Sequence, residues 1–247
     1  MSIRSSEDLA ALLHIGSIVG RSLKLIAEHV KPGVKTRDLD AYAGELLKRE
    51  GARCAPKVEY GFPGDVCISV NDEAVHGIPG ERPIREGDVV KLDLTAEKDG
   101  YVADAAVTVN VPPVGDQNRR MAECVRRAFD RGMELARAGV RISQMGGAID
   151  REVRASGFTT LTQLTGHGVG RKTHEDPVIP NFFDPYSRER LTEGLVIAVE
   201  PIISSGRNRI VTHRDGWTIC TADRHNAAHF EHTIIVTSGE PIFVTAA

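Results

Sequence analysis

Val89-Val90-Lys91-Leu92-Asp93-Leu94-Thr95-Ala96-Glu97-Lys98-Asp99-Gly100-Tyr101-Val102-Ala103-Asp104-Ala105-Ala106-Val107 reads as two apolar strands joined by a tight turn. The turn signal is Glu97-Lys98-Asp99-Gly100, and two registers are open. With Lys98-Asp99 as the loop, Asp93 faces Asp104 directly. With Asp99-Gly100, the pair that hairpins favour, the two become diagonal neighbours. Either way they share one face, with Cβ atoms roughly 5–8 Å apart. Like charges that close raise one pKa, and a buried carboxylate must be paired, protonated or bound to metal. A cation between them removes the repulsion. A solvated acidic face fits less well, because Leu92, Leu94, Val102 and Ala105 make both strands read as buried.

The same oddity recurs downstream. Glu200 closes the apolar run 195–201 and Glu231 opens the run 231–236, although acidic residues are poor strand formers. In Gly166-His167-Gly168-Val169-Gly170 the glycines let the backbone fold closely and aim an imidazole inward. A phosphate loop is the rival reading, but its spacing and its Lys-Ser/Thr are missing. Four carboxylates and one imidazole suit two divalent cations that share bridging ligands, so the chain reads as a di-metal hydrolase. His76 and His174 each stand in a His-x-x-Pro context and read as histidines free to act on substrate. His14, His213, His225, His229 and His232 lack such a context and receive no role.

Helical spacing of Leu9, Leu12, Leu13, Val19, Leu23 and Ile26 predicts a first helix, with Ser5 and Asp8 as a capping box and Pro32-Gly33 as its stop. Thr36 is expected to cap a second helix that runs to Gly51. A long helix over about 116–138 follows; Gly139 ends it, Ser143 caps the next, and Gly157 ends that one. Gly33-Val34-Lys35 matches Gly139-Val140-Arg141, and Gly51 matches Gly157, at an offset of 106. The stretch Glu86 to Asp93 matches Glu193 to Glu200 at an offset of 107, each copy ending on a carboxylate. Two matches in the same order favour an internal duplication. It predicts a pseudo-twofold axis that Asp93 and Glu200 approach from opposite sides, with the strands of Asp104 and Glu231 next.

The 247 residues, 41% hydrophobic, can bury a substantial core. We expect a single catalytic domain over 1–247, its halves roughly 1–112 and 113–247. A net charge of −3 gives no electrostatic case for nucleic acid as substrate. The start Met1-Ser2-Ile3-Arg4 lacks the apolar stretch of a signal peptide. No apolar run approaches the ~20 residues of a membrane span. The four cysteines have no metal-ligand spacing and read as reduced thiols. The expectation is a cytoplasmic protein with no membrane partner.

With these residues assembled, the chain resembles the type I methionine aminopeptidases of the pita-bread fold, over nearly its whole length. The resemblance is carried by Gly61-Phe62-Pro63, the segments 66–71 and 75–79, Leu92-Asp93-Leu94-Thr95, Asp104, the segment 166–171, His174-Glu175-Asp176-Pro177, Val199-Glu200-Pro201, Trp217-Thr218 and Phe230-Glu231-His232-Thr233. It implies an α+β, pseudo-twofold, duplicated helix-helix-strand fold with an antiparallel sheet and a central di-metal site. Asp93 would hold one metal and His167 with Glu200 the other, Asp104 and Glu231 bridging. The cofactors would be two divalent ions per chain, Co, Mn, Fe or Zn. A water or hydroxide between them would attack, with Glu200 shuttling its proton. His174 would polarise the scissile carbonyl and His76 would contact the peptide nitrogen. Phe62, Cys67, His76, His174 and Trp217 would bind substrate. The implied activity is removal of the N-terminal methionine from nascent proteins, preferentially before a small second residue. The implied partners are nascent polypeptide N-termini, with ribosome association and a monomeric state as further expectations.

Glu59, Tyr60 and Thr173 depart from the family pattern, which resembles Tyr-His before the glycine and a bulky apolar residue in place of Thr173. Such changes bear on the methionine preference, because an apolar pocket discriminates by only a few kcal/mol; they leave the metal chemistry alone. Three rival readings stand beside this one. A related pita-bread exopeptidase with altered first-residue specificity, such as a proline dipeptidase, is expected to carry an extra N-terminal domain. A non-catalytic paralogue on the same fold is expected to show a broken ligand set. A phosphoesterase would need basic residues near the ligands.

Overall fold

Asp99 and Gly100 form the turn between strands β4 (Val89–Lys98) and β5 (Tyr101–Asn110) in the computed structural model, which describes residues 1–246. Both turn residues have positive φ, 54° and 78°, the conformation that a two-residue hairpin loop demands and that Asp-Gly tolerates. Lys98 therefore pairs with Tyr101, Thr95 with Asp104 and Asp93 with Ala106. The second of the two open registers is the one adopted, and Asp93 and Asp104 are diagonal.

The hairpin lies in a nine-stranded sheet with β1 (Arg53–Cys54), β2 (Cys67–Val70), β7 (Gly166–Gly168), β8 (Glu175–Ile179), β9 (Val196–Val199), β14 (Glu231–Ile235) and β15 (Ile242–Phe243). Its main path runs β1-β4-β5-β14-β9-β7-β8, and its pairings are antiparallel. Two three-stranded sheets flank it. One joins β6 (Thr159–Thr160), β10 (Ile202–Ser204) and β13 (Ala227–His229); the other joins β3 (Glu73–Val75), β11 (Ile210–Thr212) and β12 (Ile219–Thr221).

The helices are α1 (Ser6–Glu28), α2 (Thr36–Arg49), α3 (Ala55–Tyr60), α4 (Asp116–Met133) and α5 (Ile142–Ala155). Leu12, Ile15, Leu39 and Leu47 of the first pair bury against Leu92 and Ala105 of the sheet. Met121, Phe129 and Ile149 of α4 and α5 bury against Ile197 and Ile234. Each fully buried Leu, Ile or Phe contributes about 1.5–3 kcal/mol. By length and composition α1 is apolar enough to cross a membrane, which the run-by-run reading missed. Here it is a core helix, packed on β4 and β5 with Leu12, Ile15, Ile18 and Ile26 fully buried.

The duplication is visible in backbone detail. Helices α2 and α5 are both 14 residues long, and their first and last positions correspond at the offset of 106. Gly33 (φ 89°) donates to the carbonyl of Ile84 at 2.8 Å, and Gly139 (φ 88°) to that of Leu191 at 2.8 Å. The carbonyls of Val34 and Val140 accept the return bonds from Ile84 and Leu191. Strands β4 and β5 of the first copy meet β14 and β9 of the second along the β5–β14 seam.

Four local expectations are not met. Ser5 caps α1 by accepting from the Asp8 N–H, but Asp8 accepts from Arg4 rather than closing the box. Thr36 is the first residue of α2, and its hydroxyl is bonded to both backbone groups of Gly80. Ser143 is buried inside the first turn of α5, and α4 ends at Met133 rather than near 138.

Candidate metal centre

Five neighbouring strands bring the expected ligands together. Asp93 is on β4, Asp104 on β5, Glu231 opens β14, Glu200 follows β9, and His167 is the middle residue of β7. Ala106 pairs with Asp93 on one side and with Glu231 on the other. His232 pairs with Val199, so continuing that register by one step sets Glu231 opposite Glu200. The five therefore cluster across the β5–β14 seam, as the pseudo-twofold expectation requires.

Hydrogen bonds fix this arrangement. The Thr233 hydroxyl accepts from the Asp104 N–H at 2.9 Å and donates to its carbonyl at 2.8 Å, clamping that residue to the neighbouring strand. The side-chain amide of Asn181 donates to the Glu200 carbonyl at 2.9 Å. His167 Nδ1 lies 2.8 Å from the carbonyl of Gly168, an acceptor that orients the ring with Nε2 toward the carboxylates. Nε2 is 3.3 Å from Glu200 Oε1 and 4.0 Å from Asp104 Oδ2.

Close approach explains the glycines around His167. A Cβ on Gly166 would lie 2.3 Å from the Ala198 carbonyl oxygen. Gly166→Ala is therefore expected to cost about 2–3 kcal/mol, roughly 5–10 °C in Tm, because strand backbones must separate. Gly80→Ala, with nothing within 4 Å of the added carbon, is the control that thermal melts should show nearly unchanged.

Burial and mutual repulsion dominate the electrostatics of the four candidate carboxylate ligands. Burial, then Asp104 and Glu200, push the Asp93 carboxyl well above its ordinary range. Burial, then Asp104, Glu200 and Asp93, do the same to Glu231, and burial raises Asp104 and Glu200. Burial alone would lower His167, but Glu200 and Asp104 outweigh it and carry it up to about 9. Glu231 Oε1 and Asp104 Oδ1 are buried with no hydrogen-bond partner among the described residues. Orphaned carboxylate oxygens facing an imidazole are a donor set that fits a divalent cation. Donor atoms of Asp104, His167 and Glu231 lie within 4.8 Å of one another, as do those of Asp93, His229 and Glu231.

Protons and metal compete for these groups, which fixes the sign of a pH effect. Folded pKa values raised above the unfolded ones stabilise the metal-free protein fully at low pH, and that stability is lost as pH rises through them. Metal binding releases the same protons and strengthens as they leave. The Tm gain on adding Mn²⁺ to chelated protein should therefore grow from pH 6 to pH 8, as calorimetry can check. A gain that is flat across this window would mean that the ligands carry no protons to displace.

The five expected ligands line one cavity together with His76, His174, Phe62, Cys67 and Trp217, the residues expected to bind substrate. Phe62 and Trp217 meet edge to face, ring centroids 5.4 Å apart. His76 holds a left-handed backbone, φ 57°, a conformation costing on the order of 1–3 kcal/mol that recurs at functional sites. The His174 ring is 4.4 Å from that of His167, and burial, then His167 and His76, hold its pKa down to about 4. It is a neutral imidazole at pH 7.

The three departures from the family pattern all gather at His174. Tyr60 and Thr173 line the cavity. The Tyr60 hydroxyl is 3.1 Å from His174 Nδ1, and both Glu59 carboxylate oxygens accept from the Thr173 N–H at 3.1 Å. The cavity wall also includes Val75, Leu164 and Ile202, which the sequence did not single out. His229, likewise given no role, lies fully buried beside Glu200 and Glu231. Burial, then His76 and Lys91, hold its pKa down to about 3.

The sequence pattern of metallopeptidase family M24 matches residues 10–238. The chain is 40% identical over 247 residues to methionine aminopeptidase 2 of Bacillus subtilis, covering 99% of each chain. It is similar to the crystal structure of methionine aminopeptidase from Thermotoga maritima, with TM-score 0.96, 32% identity and complete coverage of both chains. The prolidase from Pyrococcus furiosus shares the fold, with TM-score 0.80 and 22% identity, over 99% of this chain and 65% of that one.

Proposed function

The chain belongs to metallopeptidase family M24, and on that footing we propose that it removes the N-terminal methionine from nascent proteins, preferentially before a small second residue. The observation that carries the reading is the convergence of Asp93, Asp104, His167, Glu200 and Glu231 on one cavity whose wall includes Phe62, Cys67 and Trp217. The family's divalent metal would be held by these five side chains, and two ions sharing Asp104 and Glu231 suit the donor set. Such ions activate water at neutral pH and polarise a carbonyl.

The chain's own residues divide the remaining work. Glu200, its carboxyl raised by burial above the ordinary range, is suited to take and return a proton. His174, neutral and held by Tyr60, would donate a hydrogen bond to the oxygen on which charge develops. His76 would contact the peptide nitrogen beyond the first residue and narrow the space for the second. The Phe62–Trp217 wall would take the methionine side chain. The four cysteines are buried and unpaired, which supports a cytoplasmic setting.

The test is metal-reconstituted hydrolysis of a Met-Gly-Met peptide beside Leu-, Ala- and Xaa-Pro-starting peptides, with Asp93→Ala as the blank. Release of methionine alone supports the reading. Release of several first residues would replace it with a relaxed exopeptidase.

A further inference from the structure

We propose that His229 is a sixth metal-binding side chain, giving the Asp93 side of the centre an imidazole of its own. The inference rests on the metallopeptidase reading above and adds to it a ligand outside the expected five.

His229 ends β13, two residues before Glu231, and is 1% exposed. Its backbone is held as firmly as that of Asp104. The Thr108 hydroxyl accepts from its N–H at 2.9 Å and donates to its carbonyl at 2.8 Å, while β10 pairs with it through Ile202. The ring is thus placed by three strands. Both of its nitrogens lack a hydrogen-bond partner among the described residues. Nε2 is 3.6 Å from Glu200 Oε2 and 3.6 Å from Glu231 Oε2.

That separation discriminates between two roles. A ring N–H donating to a carboxylate would sit about 2.7–3.2 Å from it. Two donors sharing one cation through bonds of about 2.1 Å at tetrahedral angles stand about 3.4 Å apart. Donor atoms of Asp93, His229 and Glu231 fall within 4.8 Å of one another, and so do those of Asp104, His167 and Glu231. Glu231 belongs to both groups, so the centre divides into two sides, each with one imidazole and a shared carboxylate. An all-oxygen set suits Mn or Mg, whereas an added imidazole turns the Asp93 side toward Zn or Fe.

The experiment loads chelated wild type, His229→Gln, His229→Ala and Asp104→Asn with Zn²⁺. Calorimetry gives affinities and stoichiometry, and zinc-edge X-ray absorption counts the imidazoles. Wild type should show two imidazoles per pair of ions and His229→Gln one, with one of the two ions bound at least about tenfold more weakly. Glutamine keeps a hydrogen-bond donor at the position, so a role limited to hydrogen bonding would leave the imidazole count unchanged. Equal counts and affinities in wild type and His229→Gln would overturn the proposal while leaving the five-ligand centre intact. Failure of wild type itself to bind metal would overturn the metallopeptidase reading and this proposal together. If the variants do not fold, the wild-type count decides alone: two imidazoles support the assignment and one refutes it.

Discussion

Asp104→Asn is expected to lower kcat/KM for a Met-Gly-Met peptide by at least about a thousandfold, roughly 4 kcal/mol of barrier. The side chain keeps its shape but loses the charge, at a position where the cluster has no substitute. Asp104 is the candidate ligand that the Thr233 clamp locks to the seam, and its Oδ1 has no hydrogen-bond partner among the described residues. An amide there offers one neutral oxygen and turns an N–H₂ group toward the other ligands, a poor exchange for a cation. The backbone clamp is untouched, so the variant should fold and melt near wild type. Metal analysis alongside the assay separates the causes: the expected result is lost metal with retained fold. Activity within tenfold of wild type would remove Asp104 from the centre.

His174→Ala is expected to act on turnover rather than on binding, with kcat falling about a hundredfold and KM moving less than about threefold. The ring is neutral at pH 7, since burial and the two neighbouring histidines hold its pKa near 4. A depressed base pKa means that protonation enters only well below neutrality, so the loss should be constant from pH 6 to pH 8. It should also be insensitive to metal content, because the role proposed for His174 is toward the substrate carbonyl, with its Nδ1 taken up by the Tyr60 hydroxyl. A fall confined to KM would mean that the ring only holds substrate. A fall in bound metal would mean that it belongs to the ligand set.

The acidic hairpin could be read in advance because alternation and an Asp-Gly turn are local signals, and they left only two registers. Gly33 and Gly139 revealed the duplication because the same left-handed backbone recurs after the same interval. His167 was legible from its flanking glycines, whose absent side chains let Ala198 and Asp176 approach. His229 was not. Ala227-Ala228-His229 is a three-residue strand with no alternation to read, and its meaning lies in Thr108, Glu200 and Glu231 rather than in its neighbours. The contacts of Glu59 and Tyr60 with Thr173 and His174 join segments 114 residues apart, which no window on the sequence spans. The failed caps at Thr36 and Ser143 share this cause: a tertiary partner or burial claimed the hydroxyl that propensity had assigned to the helix end.

The β5–β14 seam joins residues more than a hundred positions apart, and loop closure over such a span costs entropy before any contact repays it. Pairings of this kind form slowly and set the folding rate of a chain. A metal centre that straddles the seam would not exist until that pairing is complete, so a newly made molecule would stay inert until then. A cation gripping ligands from both sides would then act as a rivet driven after assembly, slowing unfolding far more than it hastens folding.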